Sequence, residues 1–205
     1  MPWPPNGVIP FKNLSLLLAP LCYVFNSPQI LYAAFKEIYV NFWVRLHTLH
    51  LNYGVGGATE ISVTTNANQV QAQNYDPNNA TLNLKSPSDP TGIVALCINC
   101  EQRILTKTPA LIQHLSRLGL SLTPIIFPWI FSAFSKNLPP DQTLILWDFI
   151  FQRNTLFVLA DLAVAIVLFR EITLFSCEEG HMAEAVLKDL TEIDVETLLL
   201  KYYRD

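Results

Sequence analysis

Clusters of basic residues are absent from this sequence. Its 13 Lys and Arg residues are scattered over 205 positions, and the formal net charge is −4. Proteins that bind nucleic acids concentrate positive charge in a patch that neutralises phosphates, and no such patch can be assembled here. We therefore expect no nucleic-acid partner.

The N-terminus also lacks a secretory signal. Residues 1–11, MPWPPNGVIPF, contain no basic region followed directly by an apolar block. That combination is the mark of an export signal. We therefore expect a cytoplasmic protein.

Long uninterrupted apolar runs are missing too, although 51% of the residues are hydrophobic and only 15% are charged. A membrane-spanning helix needs about 20 mostly apolar residues with few or no charges. Three windows approach this, but proline, glycine or charged residues interrupt residues 12–36, 117–136 and 156–175. Helices that are hydrophobic all round also occur in large soluble cores. We interpret the windows as a buried core, with membrane spanning as the alternative, and expect no integral membrane insertion.

Residues at catalytic or metal-binding spacing are scarce. Cys97 and Cys100 form one CxxC pair, for which His47 and His50 are the candidate further ligands of a zinc site. Both cysteines lie at helical spacing among apolar neighbours, which is typical of ordinary buried cysteines. There is no GxSxG elbow and no glycine-rich phosphate loop. We therefore predict no catalytic residue, no metal site and no cofactor.

A polar residue followed by proline recurs along the chain, and this pair is a common helix start. Apolar residues then follow at three- and four-residue steps, which indicates helices. No strand alternation competes, so we predict an all-α fold, with a kink at Pro128. The predicted helices cover residues 28–48, 89–105, 108–119, 123–137, 141–152, 155–172, 179–190 and 195–203.

Residues 51–88 break this pattern. They are rich in Asn, Gln, Gly, Ser and Thr, with scarcely any charge and no sustained apolar period. Such a segment buries too little apolar surface to offset the entropy that ordering costs. We predict a long, disordered polar insertion.

Asp148 is the polar residue that most needs an explanation, because it lies in an otherwise hydrophobic run. A buried carboxylate without a partner is costly. We expect Asp148 to be buried and held by a structural ion pair or a cap, with candidate partners Arg153, Arg170 and Arg45. We interpret the nearby tryptophans as core residues, namely Trp43, Trp129 and Trp147.

Several marks of this region resemble the TBC domain, the all-helical module of Rab GTPase-activating proteins. In the C-terminal half of that domain a glycine-leucine turn leads to a Trp-containing helix, a Leu-Pro turn and a Leu-Trp-Asp helix. The turn here is Gly119-Leu120, and the other signature residues are Trp129, Leu138, Pro139, Leu146, Trp147 and Asp148. Upstream, YAAFKEIYVNFWVRLHTL is similar to the member-nineteen subgroup of TBC-domain proteins.

The resemblance implies a GTP-bound Rab-type small GTPase as the partner and peripheral association with endomembranes. It also divides the chain into an N-terminal part of the TBC-like region, the insertion, the TBC C-terminal helices and a C-terminal helical extension. These parts are residues 1–50, 51–88, 89–176 and 177–205.

Two motifs of the family are missing from the sequence. TBC domains supply an arginine finger from IxxDxxR and a glutamine from YxQ, and neither pattern occurs here. The resemblance therefore implies a TBC-type activator that is incomplete in this chain, so that the chain alone is predicted to be inactive. The alternative is a non-catalytic adaptor or scaffold that binds a GTPase.

Overall fold

The computed structural model describes residues 14–47 and 92–203, and all regular structure within these ranges is helical. The all-α fold is therefore confirmed, whereas the predicted insertion at 51–88 lies outside the described residues. The α-helices are α1 (Leu14–Leu18), α2 (Pro28–Ile38), α3 (Val44–His47), α4 (Ile93–Lys107), α5 (Pro109–Arg117), α6 (Thr123–Phe131), α7 (Pro140–Arg153), α8 (Phe157–Phe169), α9 (Glu171–Phe175), α10 (Gly180–Lys188) and α11 (Val195–Tyr202).

Helix α8 forms the centre of the core. Every residue from Val158 to Val167 is buried, and α4, α6, α7 and α11 pack around it. A helix of almost purely apolar composition is buried on all sides because it has no face that suits water. No helix of the described ranges is both long enough and apolar enough to cross a membrane.

Proline marks three of the predicted helix starts. Pro28 and Pro109 are the first residues of α2 and α5, and Pro124 is the second residue of α6. A missing N–H costs nothing there, because the first N–H groups of a helix have no intrahelical partner. Gly119 follows α5 with φ at +70°, the left-handed conformation expected of a glycine after a helix end.

Other boundaries differ from the predictions. Helix α6 ends at Phe131 instead of residue 137, because Ala133 and Phe134 leave the helical conformation with φ of 45° and 62°. The predicted helix over 155–172 is divided at Arg170 into α8 and α9.

The N-terminal described residues also hold helical turns before Pro28 that the sequence did not predict, and a π-helical turn within the predicted helix 28–48. Helix α1 runs directly into a 3₁₀ helix, Ala19–Tyr23. A π-helical turn, Tyr39–Trp43, joins α2 to α3 and makes residues 28–47 continuous.

Candidate functional site

Trp147, on α7, fixes the turn that follows α6. Its indole is fully buried, and its Nε1 donates a hydrogen bond to the Ala133 carbonyl at 3.0 Å. The turn closes on itself as well, since the Phe134 N–H donates to the Trp129 carbonyl at 2.7 Å. Ala133 and Phe134 both have positive φ, which costs a non-glycine residue about 1–2 kcal/mol. Tertiary contacts such as the Trp147 hydrogen bond offset that cost.

The three tryptophans lie in the core, as predicted. Trp43, Trp129 and Trp147 are each exposed by 1% or less. The Trp43 and Trp147 rings have centroids 5.1 Å apart, and Trp129 lies 5.8 Å from Phe134. Ring contacts thus join the π-helical turn to α7 through Trp43 and Trp147, and α6 to the turn after it through Trp129 and Phe134. These buried tryptophans do not line an open ligand site.

The Leu-Pro turn sets the start of α7. The Pro139 carbonyl accepts hydrogen bonds from both the backbone N–H and the hydroxyl of Thr143, at 2.9 and 3.0 Å. Leu138 and Leu146 are buried on either side of it. These contacts hold α7 so that its Leu146–Trp147 face points into the core.

The prediction that Asp148 is buried and paired is wrong. Asp148 is exposed, and no cation lies within ion-pair distance of it in the described part of the chain. The reason is the helical period: the buried residues of α7 are Thr143, Leu146, Trp147 and Ile150. These positions share one face, and Asp148 lies outside it.

The acid that the core does bury is Asp161, in the middle of α8. It is 7% exposed, and its Oδ1 accepts a hydrogen bond from Arg103 Nη1 on α4 at 2.5 Å. Tyr203, at the end of α11, donates its hydroxyl hydrogen bond to Oδ2. The other guanidinium nitrogen of Arg103 donates to the Tyr202 hydroxyl. We call these four side chains the Asp161 cluster.

Within the cluster, the pKa values of Arg103 and Tyr203 are raised. Burial lowers the pKa of Arg103, but the interactions with Asp161 and then with Tyr202 together outweigh burial, so the net pKa is raised. Burial, and then the hydrogen bond to Asp161, raise the pKa of the Tyr203 phenol. Arg153 stacks on the Tyr203 ring, with its guanidinium carbon 3.9 Å from the centroid. The cluster is therefore an ion pair with neutral phenols around it, and it ties α4, α8 and α11 together.

A sequence signal for this cluster existed. Asp161 is the only charged residue of α8, whose sequence is FVLADLAVAIVLF. By contrast, α7 carries Asp141, Gln142, Gln152 and Arg153 beside Asp148. A buried acid needs a partner, and α8, which has no polar face, is the helix whose acid is buried.

The CxxC pair behaves as ordinary core cysteines. Cys97 and Cys100 are buried, and burial is the main cause that raises their thiol pKa values, to about 11 and about 12. Such thiols hold little thiolate at neutral pH, and thiolate is the form that binds metals and reacts. The residues that the structure describes include no group of three or more His, Cys, Asp or Glu side chains placed to hold a metal ion.

His47, the candidate zinc ligand, has other partners. Its Nε2 lies 2.9 Å from the Phe131 carbonyl and its Nδ1 lies 3.1 Å from the Tyr39 hydroxyl. Burial lowers the pKa of the imidazole, and the hydrogen bond to Phe131 offsets only part of that effect. His47 therefore joins α3 to the end of α6. His50 lies outside the described residues.

Comparison with known proteins places these features in a family. The family model of the Rab-GTPase-TBC domain matches residues 79–175, the part of the chain that contains the signature residues. TBC1 domain family member 19 of Homo sapiens is 36% identical over 197 residues, which are 96% of this chain and 30% of that protein. Drainin of Dictyostelium discoideum is 30% identical over 70 residues, 34% of this chain and 16% of drainin. No solved structure gives a significant match.

The chain spans less than a third of the length of the human relative. Within that span the all-helical architecture and the buried Trp147 on α7 are consistent with the family match. The chain belongs to the TBC-domain family.

Proposed function

We propose that this chain regulates Rab small GTPases in membrane trafficking as part of a TBC-type GTPase activator, without supplying the catalytic side chains itself. The observation that carries the proposal is the Rab-GTPase-TBC match over residues 79–175. In this proposal the chain contributes scaffold and part of the GTPase-facing surface, from the cytoplasm and at the periphery of endomembranes.

The chemistry that a complete activator supplies explains why two motifs matter. An arginine neutralises the charge that develops on the transferring phosphoryl group, and a glutamine orients the attacking water. Together such groups contribute several orders of magnitude in rate. The IxxDxxR and YxQ patterns that carry them in TBC domains are absent from all 205 residues.

Three of the five arginines that the structure describes lie against neighbouring side chains. Arg103 pairs with Asp161, Arg153 stacks on Tyr203, and Arg170 lies over the Phe169 ring. A finger must project freely into a bound GTPase, and these three guanidinium groups lie against their own neighbours. This supports the proposal that none of these three arginines is a finger.

The proposed organisation keeps the four parts predicted from the sequence. Residues 1–50 and 89–176 form the TBC-like region, residues 51–88 are an insertion, and residues 177–205 are a helical extension. The buried signature residues Trp129, Leu138, Leu146 and Trp147 act by holding the fold, whereas Asp148 is exposed. Trp147 holds the fold most directly because it fixes the turn after α6.

Binding to Rab proteins tests the proposal. The purified chain is immobilised, and a panel of Rab proteins is passed over it, each loaded with GDP or with a non-hydrolysable GTP analogue. We expect at least one Rab to bind in its GTP-analogue form and to bind more weakly with GDP. Trp147→Ala removes the hydrogen bond that holds the turn after α6. It serves as the control for binding that does not depend on the native fold. Absence of nucleotide-dependent binding across the panel would contradict the proposal.

The alternative function is a non-catalytic adaptor that binds a GTPase or another trafficking protein. The missing finger motifs favour it as much as they favour an incomplete activator. Genomic sequence upstream of the Met1 codon separates the two. An in-frame IxxDxxR followed by YxQ supports the activator, whereas a coding region that lacks both supports the adaptor.

A further inference from the structure

A cleft opens where three helices end near one another. It is lined by the last residue of α4, Lys107, by the end of α8 with Leu168 and Phe169, and by Leu198 and Lys201 of α11. Its volume is about 260 Å³. Pockets for drug-sized ligands occupy about 300–1,000 Å³. The cleft is therefore sized for one large side chain of a partner.

The floor of the cleft is apolar. Ala165 is 4% exposed, and Leu168 and Leu198 are half-buried. Phe169 is 57% exposed at the edge, and Ile172, on the adjoining helix α9, is 85% exposed. Large apolar side chains in this degree of contact with water are stabilised when another apolar group covers them.

The rim of the cleft carries unpaired positive charge. Lys107 and Lys201 are both exposed, and neither has a carboxylate within ion-pair distance among the residues described. The Lys107 ammonium lies 4.9 Å from the centroid of the Tyr202 ring, which holds it beside the opening. Glu171 is the one acid among the described residues of the lining. Two cations against one anion make this rim positive in a chain whose net charge is −4.

We propose that this cleft binds a short acidic peptide segment of a partner protein. One large apolar side chain of the peptide covers the floor between Leu168 and Leu198, and carboxylates beside it pair with Lys107 and Lys201. This assigns a second contact surface to the chain, in addition to the proposed binding of a Rab protein.

The charge pattern favours a peptide over an anionic membrane. Recognition of anionic lipid surfaces uses clusters of four to eight basic residues, and this rim has two. Glu171 would also repel a multiply charged phosphate headgroup, while single carboxylates placed beside the lysines avoid it. The small apolar floor gives a peptide an anchor that a headgroup has no means to use.

Fluorescence anisotropy with the full chain tests the proposal. The probe is a rhodamine-labelled peptide with one central Trp flanked by two Glu residues on each side. The matched control peptide has Gln in place of each Glu. We expect saturable binding of the acidic peptide and at least threefold weaker binding of the Gln peptide, which is about the range that exposed ion pairs provide.

Three variants locate the site. Lys201→Glu replaces attraction by repulsion and should weaken binding about threefold to tenfold. Glu171→Gln removes the one acid of the lining and should strengthen it. Lys136→Glu changes charge equally at an exposed lysine outside the cleft and should leave binding unchanged apart from a small general effect.

Several results would overturn the proposal. The first is equal effects of Lys201→Glu and Lys136→Glu, and the second is no binding of the acidic peptide. Phosphatidylserine vesicles that bind in a Lys201-dependent way, without peptide binding, would assign the rim to a membrane. Self-association that Lys201→Glu abolishes would assign it to a second copy of the chain. Circular dichroism of each variant shows whether its fold is intact.

Discussion

Arg103 and Asp161 lie 58 positions apart in the sequence and form the ion pair that fastens α4 to α8, with Nη1 2.5 Å from Oδ1. Tyr202 and Tyr203 bond to the two partners from the end of α11. A buried carboxylate is tolerated when it is both paired and hydrogen-bonded. The last described helix is therefore tied to the most buried helix of the core.

Asp161→Ala tests this relationship. It removes one partner of a buried pair and leaves Arg103 without its counter-charge, so the free energy of unfolding should fall by about 3 kcal/mol. Asp148→Ala is the matched control, since it removes an exposed carboxylate and should change stability by about 0.5 kcal/mol or less. Urea unfolding followed by circular dichroism measures both. Equal losses in the two variants would return Asp148 to the structural role that the sequence suggested.

Trp43 and Trp147 provide a second matched pair. Trp147 Nε1 donates to Ala133, whereas Trp43 Nε1 is buried with no hydrogen-bond partner among the described residues. Replacement by Phe leaves a similar cavity at both positions. Trp147→Phe also orphans a carbonyl in a strained turn, while Trp43→Phe removes an unsatisfied donor. We expect Trp147→Phe to be more destabilising by about 1–3 kcal/mol in urea unfolding. The reverse order would contradict the hydrogen-bond assignment.

The pH dependence of stability should report on His47. The Phe131 carbonyl can only accept, so Nε2 of the neutral ring carries the proton and Nδ1 accepts from Tyr39. Burial lowers the folded pKa below the ordinary value near 6.5. The unfolded chain therefore binds the proton first as the pH falls, and stability is lost below about pH 6.5, with a slope of up to about 1.4 kcal/mol per pH unit.

His47→Gln removes the titrating group and keeps hydrogen-bonding capacity. Its unfolding free energy should vary less than that of the parent chain between about pH 6.5 and pH 5. Thermal or urea unfolding at a series of pH values provides the comparison. A variant with the same slope as the parent would show that other groups cause the loss.

Helices were predictable because their starts and periods are local. Three helix starts can be recognised from the adjacent pairs Ser27-Pro28, Thr108-Pro109 and Thr123-Pro124. The core tryptophans can be recognised because they are large and lie among apolar residues. The turn at Ala133 and Phe134 was not predictable, since nothing in either residue favours positive φ. Trp147, 14 positions away, helps to hold that turn. A stabilising contact from so distant a residue cannot be read from the sequence around the turn.

The Asp161 cluster shows the same limit at the candidate site. Its members come from α4, α8 and α11, and no spacing in the sequence pairs them. What the sequence does contain is the solitary acid in α8, which indicates a buried charge but does not name its partner. The sequence favours a buried, paired Asp148 because hydrophobic residues surround it. The helical period nevertheless places Asp148 outside the buried face of α7.

Single-turnover GTP hydrolysis by Rab proteins tests the central claim most directly. Each GTP-loaded Rab of a panel is followed with and without excess chain 1–205, beside a TBC-domain protein that carries both IxxDxxR and YxQ. We predict that the complete protein accelerates hydrolysis by its own Rab partner and that chain 1–205 accelerates none, because it lacks both motifs. Robust acceleration of any Rab by chain 1–205 would contradict the account and place a catalytic side chain within these residues.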